Sequence, residues 1–319
     1  MNQDLKIAIL DTNTLTYGDL DFSPIEACGN VTFHDLMPQE ELANAIGTAE
    51  AIVVNKAHIT EEIMDQLPNL KYIGLFATGY NNIDCKAARE RGIDVVNVPG
   101  YSTDSVAQLV FAFILSHATN IASYNESVHK GDWINSPSFA YFPLPIEELA
   151  GKTLGIIGFG NLGKKVAKIG DAFGMKILIH SRRIYDDCPY QQVDRETLFR
   201  EADYLSVNCP LTEETADIVC EDTLKLMKKN AFLINTARGG CVDSKALKKA
   251  LDEEWISGAG IDVLVYEPMA ADEPLFTAKN CMITPHIGWA SIEARTRLIQ
   301  QVADNINAWK AGNPINVVN

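Results

Sequence analysis

The feature that most restricts this fold is short. The apolar run TLGII (Thr153–Ile157) leads directly into GFGNLG, Gly158 to Gly163, and a second apolar run, KILIH (Lys176–His180), follows after a helical stretch. Strand, glycine turn, helix and strand in that order make a parallel βαβ unit, with the glycines spaced as in dinucleotide-binding turns. Gly158 is expected to permit the tight turn, Gly160 to let the backbone approach a pyrophosphate, and Gly163 to let the helix pack close to the sheet. The free N–H groups at the helix start, near Asn161 and Leu162, would then face the phosphates.

The same alternation runs through the chain. Apolar runs at Lys6–Leu10, Val31–His34, Ala51–Val54, Tyr72–Phe76 and Val95–Val98 are separated by amphipathic stretches such as PQEELANAIG and TEEIMDQL. A second series comprises Thr153–Ile157, Lys176–His180, Tyr204–Val207, Ala231–Asn235, Gly258–Asp262 and Met282–Thr284. Strand–helix alternation implies parallel sheets covered on both faces, an α/β class. Between the series, Pro99-Gly100 punctuates the chain, and a helical stretch runs from about Thr103 to Lys130. Its residues Ser105, Val106, Leu109, Val110, Phe113 and Ile114 make it apolar on most sides, so it is expected to be buried. The Pro-, Ser- and aromatic-rich segment GDWINSPSFAYFPLPIEEL reads as an arm or loop (its first part is 131–146), and ASIEARTRLIQQVADNINAWKAG as a closing helix.

The 319 residues are 47% hydrophobic, enough for two domains with substantial cores, and the formal net charge is −15. No Lys/Arg run offers the basic face of a nucleic-acid binder, and the acidity is that of an ordinary soluble protein. The N-terminus lacks the features of a signal peptide. VAQLVFAFILSHA is too short to span a membrane and is interrupted by Gln108 and His117. Seven scattered cysteines show no metal or redox spacing, so no metal is expected and the thiols read as reduced and cytoplasmic.

Three later stretches each place a reactive residue at a strand end: NTARGG offers Arg238, IDVLVYEP offers Asp262 and Glu267, and ITPHIGWAS offers His286. Ligands of open parallel sheets sit at the carboxyl ends of strands, so all three stretches can serve one crevice. The set suits reduction of a 2-oxo acid. A substrate carboxylate needs the planar fork of Arg238. The carbonyl oxygen needs a proton, which His286 can supply. Glu267 suits the role of the carboxylate that fixes the histidine tautomer. Taken singly, an Arg after a strand is often a surface cap, a Glu-Pro often a turn and a lone His often a core residue; the joint placement carries the reading.

In this order, GFGNLG, CPLTEET, NTARGG, DVLVYEP and TPHIGWA closely resemble the D-isomer-specific 2-hydroxyacid dehydrogenase family, and ATGYNNID from Ala77 resembles its N-terminal substrate loop. The resemblance implies two doubly wound parallel-sheet domains: a Rossmann cofactor domain, residues 100–286, inserted into a flavodoxin-like substrate domain, residues 1–99 plus 287–319. It implies that Arg238 binds the substrate carboxylate, that His286 is the acid/base with Glu267 as partner, and that Thr78 and Gly79 bind the carboxylate through backbone N–H groups. It further places Asp262 at the nicotinamide amide, Asn161 and Leu162 at the pyrophosphate, Thr236 and Ala237 along the nicotinamide, Cys209, Pro210 and Thr215 beside the adenosine, and Thr103 near the nicotinamide. It also implies a homodimer joined through the cofactor domain and the long helix.

Within the family, NKAHIT, the aromatic arm and the WAS after the histidine look like the glycerate dehydrogenase (hydroxypyruvate reductase) branch. Lys56 then stands at the substrate mouth, unless it is a solvated loop lysine. A chain ending at Asn319 is expected to lack the C-terminal regulatory domain of long phosphoglycerate dehydrogenases. Counting from Gly163, Ser181 falls where NAD-preferring relatives usually carry Asp, and Arg182 and Arg183 follow it. An Asp there would repel a 2′-phosphate; Ser181 and two guanidinium forks suit one, so NADP is favoured over NAD. The competing arrangement has both arginines in solvent and Asp186 or Asp187 at the ribose. The expected activity is reduction of hydroxypyruvate, and of glyoxylate, to the D-2-hydroxy acid or glycolate, with D-glycerate oxidation in reverse. Two other readings remain open: a D-lactate-type or other 2-oxo-acid dehydrogenase, and a nicotinamide-sensing binding protein with little turnover.

Overall fold

A computed structural model describes residues 5–319. The chain divides into two compact units, one comprising the residues up to Ser102 together with Trp289–Asn319, the other Thr103–Gly288. Gly100–Ser102 thus lie with the first unit, and Ile287 and Gly288 with the second.

The first unit carries a five-stranded sheet of β1 (Lys6–Ile9), β2 (Asn30–Phe33), β3 (Ala51–Val54), β4 (Tyr72–Leu75) and β5 (Asp94–Val96). The order is β2-β1-β3-β4-β5 and every pairing is parallel. Successive residues of a strand point to opposite faces. Along β3, Ile52 and Val54 therefore join one core with Leu10, Ile73 and Val95. Ala51 and Val53 join the other with Ile7, Ile9 and Tyr72. This second core is closed by the helix Ile292–Lys310, whose Ala294, Leu298, Val302 and Ile306 recur at four-residue intervals on one face. Its start is capped by the Ser291 hydroxyl, which accepts from Ala294 N–H at 3.2 Å.

The second unit carries β6 (Thr153–Ile157), β7 (Lys176–His180), β8 (Gln191–Gln192), β9 (Tyr204–Val207), β10 (Phe232–Asn235), β11 (Gly258–Ile261) and β12 (Cys281–Ile283). The order is β12-β11-β10-β9-β6-β7-β8, again parallel throughout. The chain runs outward from β6 to β8, then returns to β9 on the other side of β6. That reversal opens a crevice at the carboxyl end of β6. β6 is buried along its whole length, as a central parallel strand should be.

Two elements differ from the sequence reading. β8 is two glutamines at the sheet edge, paired with Leu178 and Ile179 of β7; it has no apolar run to announce it. The stretch from Thr103 is two helices, Thr103–Thr119 and Ile121–His129, bent by 56° at Asn120. Asn120 adopts φ 50, which Asn tolerates better than most residues, and its side-chain amide donates to Pro145 O at 2.7 Å. The first helix buries Ala107, Val110, Phe111, Phe113, Ile114 and Ala118, while Ser105, Val106 and Leu109 are half-buried; the second buries none of its residues. Among the described residues, no single helix is long and apolar enough to cross a membrane.

Candidate active site

The glycine turn leaves β6 at the crevice. Gly158 has φ +88, and a Cβ there would lie 2.8 Å from the Cys209 backbone. At Gly163 a Cβ would lie 2.1 Å from Gly158 O, so helix and turn meet this closely only because residue 163 has no side chain. Gly160 faces open space, with nothing within 4 Å of a Cβ. The helix Asn161–Ala172 starts there with no side-chain cap, and its buried Gly163, Val166, Ala167 and Gly170 turn one stripe to the sheet. Uncapped N–H groups at the end of a twelve-residue helix, behind an open glycine, fit a dinucleotide pyrophosphate. Thr236, one residue past β10, has a buried hydroxyl with no partner among the described residues, and Ala237 beside it is 8% exposed. Such a hydroxyl can meet a polar group of the same ligand. Thr103 begins its helix and is half-buried.

At the end of β7, Gln192 ties down the backbone, its amide donating to Ser181 O at 2.9 Å and to Arg183 O at 3.0 Å. The Arg183 guanidinium sits 5.4 Å from the Tyr185 ring centre. Arg182 is not loose in solvent: its Nη1 donates to Glu214 Oε2 at 2.6 Å. Asp186 and Asp187 are exposed. After β9, Cys209 is buried and Pro210 exposed. The Thr215 hydroxyl closes this loop, donating to Pro210 O at 2.6 Å and accepting from Thr212 N–H at 2.7 Å.

Beyond β10, the Asn235 side chain shapes the turn that presents Arg238, accepting from Ala237 N–H at 3.1 Å and donating to Arg238 O at 2.9 Å. Arg238 is half-buried, its Nη1 donating to Ala237 O at 2.7 Å. Among the described residues, no carboxylate forms an ion pair with it. Gly239 abuts the segment after β11 so closely that a Cβ would lie 2.0 Å from the Leu264 carbonyl carbon. That segment carries Glu267, whose Oε1 accepts from Leu264 N–H at 2.9 Å. Glu267 Oε2 lies 2.6 Å from His286 Nδ1. With Nδ1 engaged, Nε2 is the ring nitrogen left for a substrate. The pair is partly open, at 31% and 34% side-chain exposure.

His286 has φ 54, uncommon for a residue with a side chain. Its N–H donates to Asp262 O and Thr284 O, both at 2.9 Å. The Asp262 carboxylate is 3% exposed and holds the turn on either side of the histidine. Oδ1 accepts from Thr284 Oγ1 at 2.6 Å and Ile287 N–H at 2.9 Å, and Oδ2 from Gly288 N–H at 2.9 Å. Oδ2 keeps one acceptor site for a further donor. Neither the Asn235 brace nor the Thr284 contact was picked out from the sequence; the only signal was that each sits at a strand end.

In the first unit, Thr78 and Gly79 follow β4. The Thr78 hydroxyl donates to Val98 O at 2.8 Å, and its carbonyl accepts from Asn97 Nδ2 at 2.7 Å. The N–H groups of Thr78 and Gly79 donate to no described residue. Lys56 is exposed, on a loop gripped by the buried Asp11 carboxylate, which accepts from the N–H groups of Asn55, Lys56 and Ala57 at 2.9, 2.6 and 2.6 Å. Burial pushes the Asp11 carboxyl up, against the pull of these three bonds and of the Lys56 charge.

Residues 111–288 match the NAD-binding domain of the D-isomer specific 2-hydroxyacid dehydrogenases. A hydroxypyruvate reductase of Blautia hydrogenotrophica is 37% identical over 323 residues, covering 99% of this chain and 100% of its own. The chain belongs to the D-isomer-specific 2-hydroxyacid dehydrogenase family. A glycerate dehydrogenase of Methylorubrum extorquens is 42% identical over 282 residues, 88% of each chain. Among solved structures, the NADPH-dependent glyoxylate/hydroxypyruvate reductase of Sinorhizobium meliloti in complex with NADP and malonate superposes with a TM-score of 0.83 at 26% identity, covering 99% of this chain and 97% of that one. This D-2-hydroxyacid dehydrogenase is therefore an oxidoreductase with two parallel α/β domains, one of them a Rossmann domain for a nicotinamide cofactor. The open turn at Gly160 and the uncapped helix behind it accord with that cofactor.

Proposed function

We propose that this dehydrogenase reduces hydroxypyruvate, and also glyoxylate, to the D-2-hydroxy acid or glycolate, with NADPH favoured over NADH. The observation that carries the reading is the His286–Glu267 pair at 2.6 Å, with Nε2 free of the bond to Glu267. The names of the Blautia, Methylorubrum and Sinorhizobium relatives support the substrate class.

When bound, the cofactor supplies a hydride from nicotinamide C4 to the carbonyl carbon. Arg238, which pairs with no carboxylate among the described residues, offers its fork to the substrate carboxylate. The N–H groups of Thr78 and Gly79, which donate to no described residue, and the exposed Lys56 support the reading that this loop region of the first unit recognises an acid. His286 Nε2 donates its proton to the carbonyl oxygen as that oxygen gains charge. Glu267 holds Nδ1 and so fixes the tautomer and the aim of Nε2. Asp262 keeps the histidine turn rigid. In the reverse direction Nε2 accepts the proton from the D-glycerate hydroxyl.

Ser181, Arg182 and Arg183 at the end of β7 support the preference for the 2′-phosphate. The arm, with Ile134, Phe139 and Phe142 exposed by 86%, 91% and 75%, supports association with a second copy of the chain. The test is a matrix of 2-oxo acids against both reduced nicotinamides. Hydroxypyruvate with NADPH should give the highest kcat/KM. Turnover below about one per second on every acid would favour a nicotinamide sensor instead, and a preference for pyruvate a D-lactate-type enzyme. His286→Ala should lower kcat by about 10²–10⁴-fold with cofactor binding retained.

A further inference from the structure

The nicotinamide-cofactor groove has a cross-link that its motifs do not announce. β6 lies between β9 and β7. The loops leaving those two strands flank the glycine turn: Gly158 N–H donates to His180 O on the β7 side, and Asn208 N–H donates to Ile157 O on the β9 side. Arg182 stands on the first loop and Glu214 on the second, and their side chains meet at 2.6 Å. The ion pair thus joins the two sides of the turn. Each end stands on a fixed backbone. Gln192 holds Ser181 O and Arg183 O, and the Thr215 hydroxyl together with the Ala216 N–H to Thr212 O bond at 2.8 Å closes the turn carrying Glu214.

We propose that Glu214 is a specificity-determining residue for the cofactor: its carboxylate holds Arg182 Nη1, one prong of the guanidinium fork that a ribose 2′-phosphate would take. The inference rests on the reading that Ser181–Arg183 face the adenosine ribose. A 2′-phosphate that takes both prongs must displace Glu214 from Nη1, whereas a cofactor lacking that phosphate binds with the pair intact. The exchange is feasible because the partners are 73% and 65% exposed and such pairs are held weakly. A phosphate brings more charge and three acceptor oxygens. Glu214 therefore narrows the gap between the two cofactors that Ser181 and the arginines open.

The experiment measures dissociation constants by calorimetry for NADP⁺, NAD⁺ and adenosine 2′,5′-bisphosphate, with the wild type, Glu214→Gln, Arg182→Ala and the double variant. Glu214→Gln should tighten NADP⁺ and the bisphosphate by about threefold and leave NAD⁺ unchanged, with the gain shrinking at high salt. In the Arg182→Ala background the same change should have little effect on NADP⁺. An unchanged NADP⁺ constant in Glu214→Gln overturns the inference. So does a gain that persists in full without Arg182. If Arg182→Ala weakens NADP⁺ alone while Glu214→Gln does nothing, the cofactor reading stands and only the role of Glu214 falls. If Arg182→Ala leaves the NADP⁺/NAD⁺ ratio unchanged, both fall.

Discussion

Gly239→Ala tests the link between the two segments that carry Arg238 and Glu267. The added Cβ would sit 2.0 Å from the Leu264 carbonyl carbon, 2.2 Å from its oxygen and 2.3 Å from Val265 N. Ordinary contact begins at 3.4 Å, so about 1.4 Å of separation must be found between two backbones, neither of which ends in a flexible side chain. Leu264 N–H is held by Glu267 Oε1, so displacing this segment displaces the partner of His286. Misplacing reacting groups by about 1 Å costs about 10²-fold, close to 2.7 kcal/mol of barrier. The overpacking itself should cost about 1–3 kcal/mol of stability. Gly240→Ala is the control, because its Cβ would meet only the movable Leu211 side chain, at 2.9 Å. The assay is kcat/KM on hydroxypyruvate, with cofactor binding by fluorescence and Tm by calorimetry. Gly239→Ala should lose about 10²-fold in kcat/KM and keep cofactor affinity, and Gly240→Ala should stay within about threefold of wild type. Equal, near-wild-type activity in both variants would refute the coupling of the two segments.

Ser181→Asp places a carboxylate where a 2′-phosphate would lie and should reverse the NADPH/NADH ratio of kcat/KM; an unchanged ratio defeats the cofactor assignment. Asp203 is held below its ordinary pKa of 3.8: burial pushes it up, but the Lys228 ammonium and Thr153 N–H outweigh burial. A depressed folded-state pKa stabilises above the unfolded value and is lost as pH falls through the folded one. Asp203→Asn should therefore cost about 1–2 kcal/mol in urea unfolding at neutral pH, and the difference should vanish at the acid end of a pH series.

What the sequence made legible is what repeats locally. Alternating apolar runs gave the two strand series because each strand of a covered parallel sheet must be apolar on both faces. The glycine turn was legible because its requirements fall within six residues. Arg238, Glu267 and His286 could be read as a set because each lies a few residues past a strand. Contacts between loops from different strands were not legible. Arg182 meets Glu214 across 32 positions, and Asp11 reaches the loop of Lys56 from 44 positions away. The break at Asn120 and the edge strand at Gln191–Gln192 were missed for a related reason. Neither has a glycine or apolar run to mark it; one depends on a carbonyl at Pro145 and the other on its pairing with β7.

The two carboxylates around His286 divide the work by depth. Glu267 is partly open and touches the ring, as a pair that exchanges a proton with solvent would need. Asp262 is sealed and touches the backbone around the ring, which has to hold His286 at φ 54 against its preference. Three donors on Asp262 leave one acceptor site on Oδ2, so gripping the turn is compatible with receiving a nicotinamide amide as well. Asp262→Asn separates the two duties. The amide group must turn its NH₂ toward either Gly288 N–H or the donors on Oδ1, leaving a buried donor facing a donor at about 1–3 kcal/mol. If the grip matters for catalysis, kcat should fall about 10–100-fold with a drop in Tm of a few degrees, and Thr284→Val, which removes one donor, should show a smaller loss of both. If the nicotinamide contact is what matters, the cofactor dissociation constant should rise while Thr284→Val stays silent. A variant that loses stability but keeps full kcat and cofactor affinity would mean that Asp262 serves the fold alone.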